Sequence, residues 1–411
     1  MTTIDPLDVA LDGGKPLQAH GFWDSLLIGA EQDAVHNLAF PGATDITYPQ
    51  LAGLLTSVLY NNIGSPYAAG HGRNHTRDAE IRVVNMVGDI LHAPPSRWGY
   101  VTTGATEGTE HALLEARRRY PQAVVYTSAA AHFKIGELVE KLMMPLVVIG
   151  TDDGGAINLD DLAGELARRR DRPAVIVAIA GTTVTEAVDD IPAIVAVCDR
   201  LSITRRRIHV DAALSGIPLA LLPVPGVPTA DFSVRGVDSV IVSGHKFLST
   251  LEPCGVLVYR QPPMVATAPP VSYTGTPSVT ITSSRSGHTV LRLLASLALG
   301  HDEHRRRVHS SRQVAAYAQQ RLRHIGVDAR RHEHAFTVYY PPLPDTLDRC
   351  WVRSGNDRFE RIICMPQVTK TDIDRFIQDA AVAVNFGSAP GRSTVPPRTR
   401  PGRAKLTAGG A

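Results

Sequence analysis

The chain is poor in cysteine. Only Cys198, Cys254, Cys350 and Cys364 occur in its 411 residues, and no two form a CxxC pair. Neither a disulfide framework nor a cysteine zinc site is expected, and scattered thiols suit a reducing cytoplasm. No apolar run approaches the roughly 18 residues that span a bilayer. The opening Met1-Thr2-Thr3-Ile4-Asp5-Pro6 has no basic stretch followed by an apolar one, so no signal peptide is expected. An excess of one charge is missing too: 42 Lys and Arg stand against 40 Asp and Glu, a net +2. That removes the electrostatic case for nucleic-acid or membrane binding. No internal repeat is visible, which excludes solenoids and propellers.

What remains is ordinary globular composition, 44% hydrophobic and 20% charged. Residues 1–45 are irregular and read as an arm with one helical piece at 24–39. Residues 48–60 carry apolar side chains at helical spacing, 61–74 form a long loop, and 80–91 an amphipathic helix. From Trp98 the texture alternates. Strands are expected at 99–102, 123–127, 144–149, 174–180, 208–210, 239–242 and 255–259, with helices at 106–119, 132–142, 159–170 and 191–201. The strands are continuous apolar runs, the mark of a parallel sheet buried on both faces. The fold class is therefore α/β, doubly wound and mainly parallel. Residues 289–322 read as helical and lead towards strands at 336–340 and 361–365 and a helix at 371–383 capped by Thr369 or Thr371. The expected division is an arm (1–60), a large domain (61–300), a smaller C-terminal α+β domain (301–387) and a disordered basic tail (388–411).

Four segments carry chemistry. Lys246 lies in Ser243-Gly244-His245-Lys246, directly after an apolar strand, and Asp211 ends another in His209-Val210-Asp211-Ala212-Ala213. A Schiff-base lysine paired with a strand-end aspartate is a way to hold pyridoxal 5′-phosphate: the lysine takes the aldehyde and the carboxylate keeps the pyridine nitrogen protonated. Ala213 is expected to share a strand face with Asp211 and lie against the cofactor. Thr103-Gly104-Ala105-Thr106 at a strand-to-helix turn offers backbone N–H groups to a phosphate, with Ser243 and His245 as further phosphate ligands. His132 can stack on the pyridine ring. Each segment alone is weak, and an ordinary tight turn or helix-start histidine would explain it; four in this order, each at a strand end, point to one site.

These strings resemble the PLP-dependent group II amino-acid decarboxylases, closest to histidine decarboxylases and their serine-decarboxylase relatives. The resemblance rests on residues 98–108, Gly181-Thr182-Thr183, residues 209–216, Ser243-Gly244-His245-Lys246, Pro253-Cys254-Gly255-Val256 and Ser284-Arg285-Ser286-Gly287-His288. It implies PLP fold type I (aspartate-aminotransferase-like), a homodimer with active sites at the subunit interface, and no metal. It also implies Lys246 as the Schiff-base lysine, Asp211 on the ring nitrogen, His132 over the ring, Gly104, Ala105 and Thr106 with Ser243 and His245 on the phosphate, and Thr183 near the phenolic and carboxyl-binding edge. The loop 278–285 resembles one that reaches the neighbouring subunit's cofactor.

The implied reaction is decarboxylation of an L-amino acid, histidine foremost, with serine, valine or a pathway-specific amino acid open, as are transamination, aldol-type cleavage and condensation. Tyr273 is a candidate proton donor alongside His132. His71 and His75 either line the substrate entrance or sit in a solvent-exposed loop. Five departures stand out: Ala105 for the usual second glycine, Thr109 for asparagine, His132-Phe133-Lys134 for a His-Tyr-Ser string, Glu186 for a glycine after Thr183, and Ser286 for asparagine in the arginine-glycine segment. If that glycine served a left-handed backbone, Glu186 brings strain; if it made room for substrate, Glu186 brings charge.

Overall fold

The computed structural model describes residues 20–387, so the expected basic tail lies outside the described residues. Seven strands form the central sheet in the spatial order Trp98–Thr102, Gly255–Tyr259, Val237–Ser243, Arg206–Asp211, Ala174–Ile179, Val124–Ser128, Leu146–Ile149. The last five run parallel; Gly255–Tyr259 runs antiparallel to both of its neighbours. Helices Ala105–Arg119, Lys134–Lys141, Leu159–Arg168 and Ile191–Arg200 connect the strands. Ile176 and Ala178 join a core with Val84, Ile191 and Leu293 on one face, while Val175 and Val177 join Leu113, Ile135 and Leu138 on the other. Both faces are thus covered, which is why these strands read as unbroken apolar runs.

A second sheet lies towards the C-terminus, with Glu360–Ile363 between Thr337–Tyr340 and Ser354–Gly355, all antiparallel. Helices His301–His324 and Lys370–Gly387 close a separate core over it, including Val314, Phe336, Ile362 and Phe376. The arm reaches this core through Leu38, whose carbonyl accepts the Ile363 N–H at 2.6 Å. No helix among the described residues is long and apolar enough to cross a membrane.

Several expectations shift in detail. The stretch at 289–322 is two helices, Gly287–Leu297, whose C-cap is Ala298, and His301–His324, whose N-cap is Gly300 with a positive φ of 86° that glycine adopts freely. The spacing at 48–60 yields only a 3-10 turn, Pro49–Leu51, and a short helix, Ala52–Ser57. Thr369, not Thr371, caps the last helix: its hydroxyl accepts the Asp372 N–H at 3.3 Å while the Asp372 carboxylate accepts the Thr369 N–H at 2.8 Å. The loop at 61–74 opens with a strand, Asn61–Ile63, paired with Ser284–Ser286. Asn61, Asn62 and the polar Ser284–Ser286 carry no strand signal; the pairing is imposed by burial around Arg285 and Glu80.

That pair is buried outright, with side chains 3% and 0% exposed. Arg285 also donates to the carbonyls of Val101 and Gly64, each at 3.0 Å. Glu80 accepts the Val101 N–H at 2.9 Å and the Asn62 amide at 2.8 Å. Loop, first strand and the 284–286 segment meet at these two charges. Removing one partner strands the other, so Arg285→Ala is expected to cost roughly 3–5 kcal/mol, read as a lowered denaturation midpoint, whereas Arg306→Ala in the exposed Arg306–Glu303 pair shifts it by less than about 1 kcal/mol.

Candidate functional site

The sheet register brings the sequence motifs to one edge. Thr102 pairs with Gly255, and Gly255 pairs with Ser243. On the neighbouring strand Asp211 lies opposite Ile241, and the Ser243 N–H donates to the Ala213 carbonyl at 3.4 Å. The turns carrying Gly104, Asp211 and Lys246 therefore leave the sheet side by side at the carboxyl ends of their strands, where α/β sheets bind ligands.

The helix Ala105–Arg119 starts at Gly104, whose backbone is extended, and its first intrahelical bond is Gly108 N–H to the Gly104 carbonyl at 3.4 Å. The N–H groups of Ala105 and Thr106 belong to the open helix end. Glu107 ties the turn down: one carboxylate oxygen accepts the Thr103 N–H and hydroxyl, both at 2.7 Å, and the other accepts the Tyr100 hydroxyl at 3.1 Å and the Thr282 N–H at 3.2 Å. A Cβ on Gly108 would lie 2.4 Å from Ile241 Cδ1, so glycine is what seats this helix against the strand leading to Ser243. A Cβ on Gly104 would meet nothing within 4 Å: the helix mouth opens on free space. Ala105, in place of glycine, sits half-buried against the Trp98 and Tyr100 cluster.

Lys246 lies in the turn that follows the strand Val237–Ser243. Its amine has no hydrogen bond or ion pair among the described residues, and burial holds it below the usual lysine range; Asp211 and Glu186 oppose the shift and Arg361 adds to it. His132 is held low by burial as well, with Asp211 opposing and Lys246, Lys134 and Arg361 adding. Lys246 and His132 thus both feel the charges of Asp211 and Arg361, and His132 that of Lys246 as well. His132 precedes its helix, Lys134–Lys141, and its ring lies 4.5 Å from that of Phe133. His245 Nδ1 is within 3.1 Å of both the N–H and the carbonyl of Cys254, and burial pushes its pKa down. Ser243 is buried; Thr183 is half-buried, with no side-chain hydrogen bond among the described residues.

Two placements differ from expectation. The strand Arg206–Asp211 stops at Asp211, so Ala213 does not follow the strand alternation. It sits in a turn made by Asp211 itself, whose Oδ1 accepts the Ala213 N–H at 3.1 Å. Tyr273 is 82% exposed on the short hairpin Pro270–Val271/Thr276–Pro277, with no hydrogen bond or ring contact to Lys246, His132 or Asp211. His71 packs on that hairpin, its Nε2 3.2 Å from the Ser272 carbonyl, and the His75 ring accepts the Arg77 N–H at 3.4 Å.

Other residues at the site had no motif to announce them. Arg361 is buried in the strand Glu360–Ile363, and its one hydrogen bond among the described residues is a 3.4 Å contact with the Ala39 carbonyl. A lone cation in an apolar strand was the available signal. Arg307 braces the turn after Lys246: it donates to the Phe247 carbonyl and the Ser249 hydroxyl, each at 2.8 Å, and is held by both Asp45 oxygens at 2.7 Å. Ser249 and Leu251 in that turn have left-handed φ of 56° and 59°. Glu186 also has a left-handed φ, 58°, a strain of about 1–2 kcal/mol for a residue with a Cβ. Its carboxyl is wholly buried against Ser215 and Thr337.

These residues fit pyridoxal phosphate. An unpaired buried amine, a carboxylate at the adjacent strand end, an imidazole beside them and an open helix N-terminus with room before it are the parts that the aldehyde, ring nitrogen, ring face and phosphate need.

Comparison with known proteins agrees. The profile of the pyridoxal-dependent decarboxylase conserved domain matches residues 44–327. A histidine decarboxylase of Mesorhizobium japonicum is 35% identical over 344 residues, covering 83% of this chain and 92% of the relative. Serine decarboxylase 1 of Oryza sativa subsp. japonica is 30% identical over 348 residues, covering 84% and 71%. Among solved structures, L-methionine decarboxylase from Streptomyces sp. 590 superposes with a TM-score of 0.83 at 21% identity, over 94% of this chain and 100% of that one. At that identity the likeness is one of fold, PLP fold type I.

The Lys246 environment sets a testable sign pattern. In the apoprotein, the rate of borohydride trapping of added pyridoxal phosphate follows the neutral amine and rises with pH, with its inflection below the ordinary lysine value of about 10.4. Asp211→Asn removes a group that favours the ammonium, so the inflection moves to lower pH; Arg361→Gln removes one that disfavours it, so the inflection moves up. A shift in the opposite direction for either variant contradicts the geometry.

Proposed function

Because the chain belongs to the pyridoxal-dependent decarboxylase family and decarboxylates an amino acid with pyridoxal 5′-phosphate, we propose that its substrate is L-histidine, released as histamine and CO2. The support for histidine is the length and identity of the similarity to the Mesorhizobium japonicum enzyme. The observation that carries the chemistry is Arg361, a buried guanidinium without a carboxylate partner beside the cofactor lysine. A cation in that state calls for an anion, and the amino acid's α-carboxylate supplies one.

Bound at this site, the cofactor supplies a sink for the electron pair left when CO2 departs. The chain's residues do the rest. Lys246 presents a neutral amine to the aldehyde because burial lowers its pKa. Asp211 holds a proton on the ring nitrogen, and His132 covers the ring face. Ala105 and Thr106 N–H groups with Ser243 and His245 hold the phosphate, Gly104 leaves it room, and Ala213 and Thr183 border the ring. Arg361 orients the carboxylate, and the buried surroundings exclude water from the bond that breaks. A proton then returns to Cα, from His132 or from a hydroxyl on the 270–277 hairpin, a role that we assign to Tyr273 of a second chain because Tyr273 is 82% exposed and makes no hydrogen bond or ring contact with Lys246, His132 or Asp211 of its own chain.

That requirement favours a homodimer with the active site at its interface. Supporting it, the helix His20–Val35 leaves Trp23, Leu26, Leu27 and Ile28 between 50% and 61% exposed in one chain, an apolar surface of the kind that subunits cover. The two separate cores support reading 61–300 and 301–387 as large and small domains.

Mass spectrometry of products from cofactor-loaded protein given a panel of amino acids tests the reaction. Histamine with CO2 from histidine alone is expected, and an amine from serine or another amino acid instead would reassign the substrate. Lys246→Ala is expected to lower turnover at least about a thousandfold; retained activity would sink the lysine's role. Light scattering on the eluting protein should give twice the 44.2 kDa chain mass, and a monomeric active enzyme would remove the shared site.

A further inference from the structure

Glu186 stands where the resemblance expects glycine, and the loop around it spans two parts of the molecule. Its Oε1 accepts the Ser215 hydroxyl at 3.0 Å. Its Oε2 accepts the Thr337 N–H at 2.9 Å and the Thr337 hydroxyl at 2.5 Å. Its own carbonyl accepts from His334 Nε2 at 2.8 Å. Ser215 lies four residues beyond Asp211 on the cofactor side. Thr337 begins the strand that pairs with the strand bearing Arg361, directly opposite Ile363. The side chain is 0% exposed, so it is no free charge for a substrate. A glycine would give this loop its left-handed turn without strain, and it would make none of the three side-chain bonds.

The contacts nearby run along the same seam. His332 Nε2 is 2.9 Å from the Gly154 carbonyl, to which the Thr185 hydroxyl also donates at 3.4 Å. Arg312 donates to the carbonyls of His334 at 2.7 Å and Leu222 at 2.8 Å. Among the described residues every other tie here uses a backbone carbonyl, and Glu186 alone sends a side chain from the Thr183 loop into the C-terminal sheet.

We propose that Glu186 is a positioning residue that fastens the C-terminal sheet to the Thr183 loop and so holds Arg361 opposite Lys246. This rests on reading Arg361 as the carboxylate anchor. The seam is also sensitive to pH. Facing Glu186 are Ser215 after the strand Arg206–Asp211, Thr337 with His334, His332 and Arg331 on the segment leading to it, Arg312 on the helix His301–His324, Cys364 beyond the Arg361 strand, and Lys246. Burial raises the Glu186 carboxyl to about 7, against its ordinary 4.5. Burial outweighs the Ser215 and Thr337 bonds, which favour the carboxylate, so the fastened state binds the proton more tightly than a separated, hydrated one, and the protonated oxygen then donates to the Ser215 hydroxyl while the other keeps accepting from Thr337. Its stabilisation is complete below the ordinary value and is lost as pH climbs to about 7. Burial holds His334 down at about 4, so it is neutral across this window, and the arginines stay cationic.

Hydrogen exchange on the holoenzyme tests this, following peptides over 182–188 and 330–340 at about pH 5.5 and about pH 8, corrected for intrinsic rates. Wild-type protection is expected to fall at least about tenfold between the two. Glu186→Gln, which keeps acceptor and donor but cannot ionise, should stay protected at both. Glu186→Gly, with its strain relieved and its fold checked by circular dichroism and cofactor absorbance, should be unprotected at both and should raise KM for L-histidine about tenfold or more without changing histamine inhibition. Wild-type protection in Glu186→Gly, or a retained pH dependence in Glu186→Gln, overturns the fastening. An Arg361→Gln enzyme with unchanged KM overturns the carboxylate reading instead and leaves the exchange result standing.

Discussion

An amine kept from water without a counter-charge in hydrogen-bonding reach is unfavourable, and the chain maintains one at Lys246. A lysine at a flexible surface position would fold its ammonium back into solvent. Here the turn after Ser243 denies it that option. Arg307 grips the backbone at Phe247 and the Ser249 hydroxyl, and Asp45 of the N-terminal arm fixes Arg307 in turn. The left-handed residues Ser249 and Leu251 persist because that clamp over-determines them. Reactivity at one nitrogen is therefore a property of several segments far apart in sequence.

The buried arginines divide by what they touch. Arg285 meets Glu80 and two backbone carbonyls, Arg307 meets Asp45, the Phe247 carbonyl and the Ser249 hydroxyl, and both join segments. Arg361 is as buried as they are and meets neither a carboxylate nor a short hydrogen bond among the described residues. Burial lowers its pKa to about 10, so it stays a cation throughout the neutral range. The same side chain thus joins segments at Arg285, at Arg307 and at Arg77, which donates to the Ala69 and Ile63 carbonyls, whereas Arg361 has only the Ala39 carbonyl within reach among the described residues. The distinction lies in which partners the fold supplies.

Much of this was legible in the residues. Unbroken apolar strands specified the parallel sheet because both faces are covered, and the motifs around Gly104, Asp211 and Lys246 meet at one sheet edge because all lie at strand carboxyl ends. The rest depends on contacts that leave no local trace. Asn61–Ile63 is a strand only because Ser284–Ser286 pairs with it around a buried ion pair. Ala213 leaves the expected face because the Asp211 side chain ends its own strand. Glu186 was visible as a departure, and its two anticipated consequences divide: the left-handed backbone is real, whereas the charge is absorbed by Ser215 and Thr337.

The position of one edge strand bears on how the molecule is made. Trp98–Thr102, which delivers the chain to the turn at Gly104, pairs with no strand near it in sequence; its sheet partner is Gly255–Tyr259. A chain emerging from the ribosome can pair Val124–Ser128, Leu146–Ile149 and Ala174–Ile179 as each appears, yet it must hold the 98–102 segment unpaired until residue 259 is free. Closing so long a loop is slow compared with local pairing. The helix start thus enters the sheet late, whereas the lysine turn follows Val237–Ser243, which can pair with Arg206–Asp211 before residue 255 emerges, so a chain truncated before residue 255 leaves Trp98–Thr102 without its sheet partner.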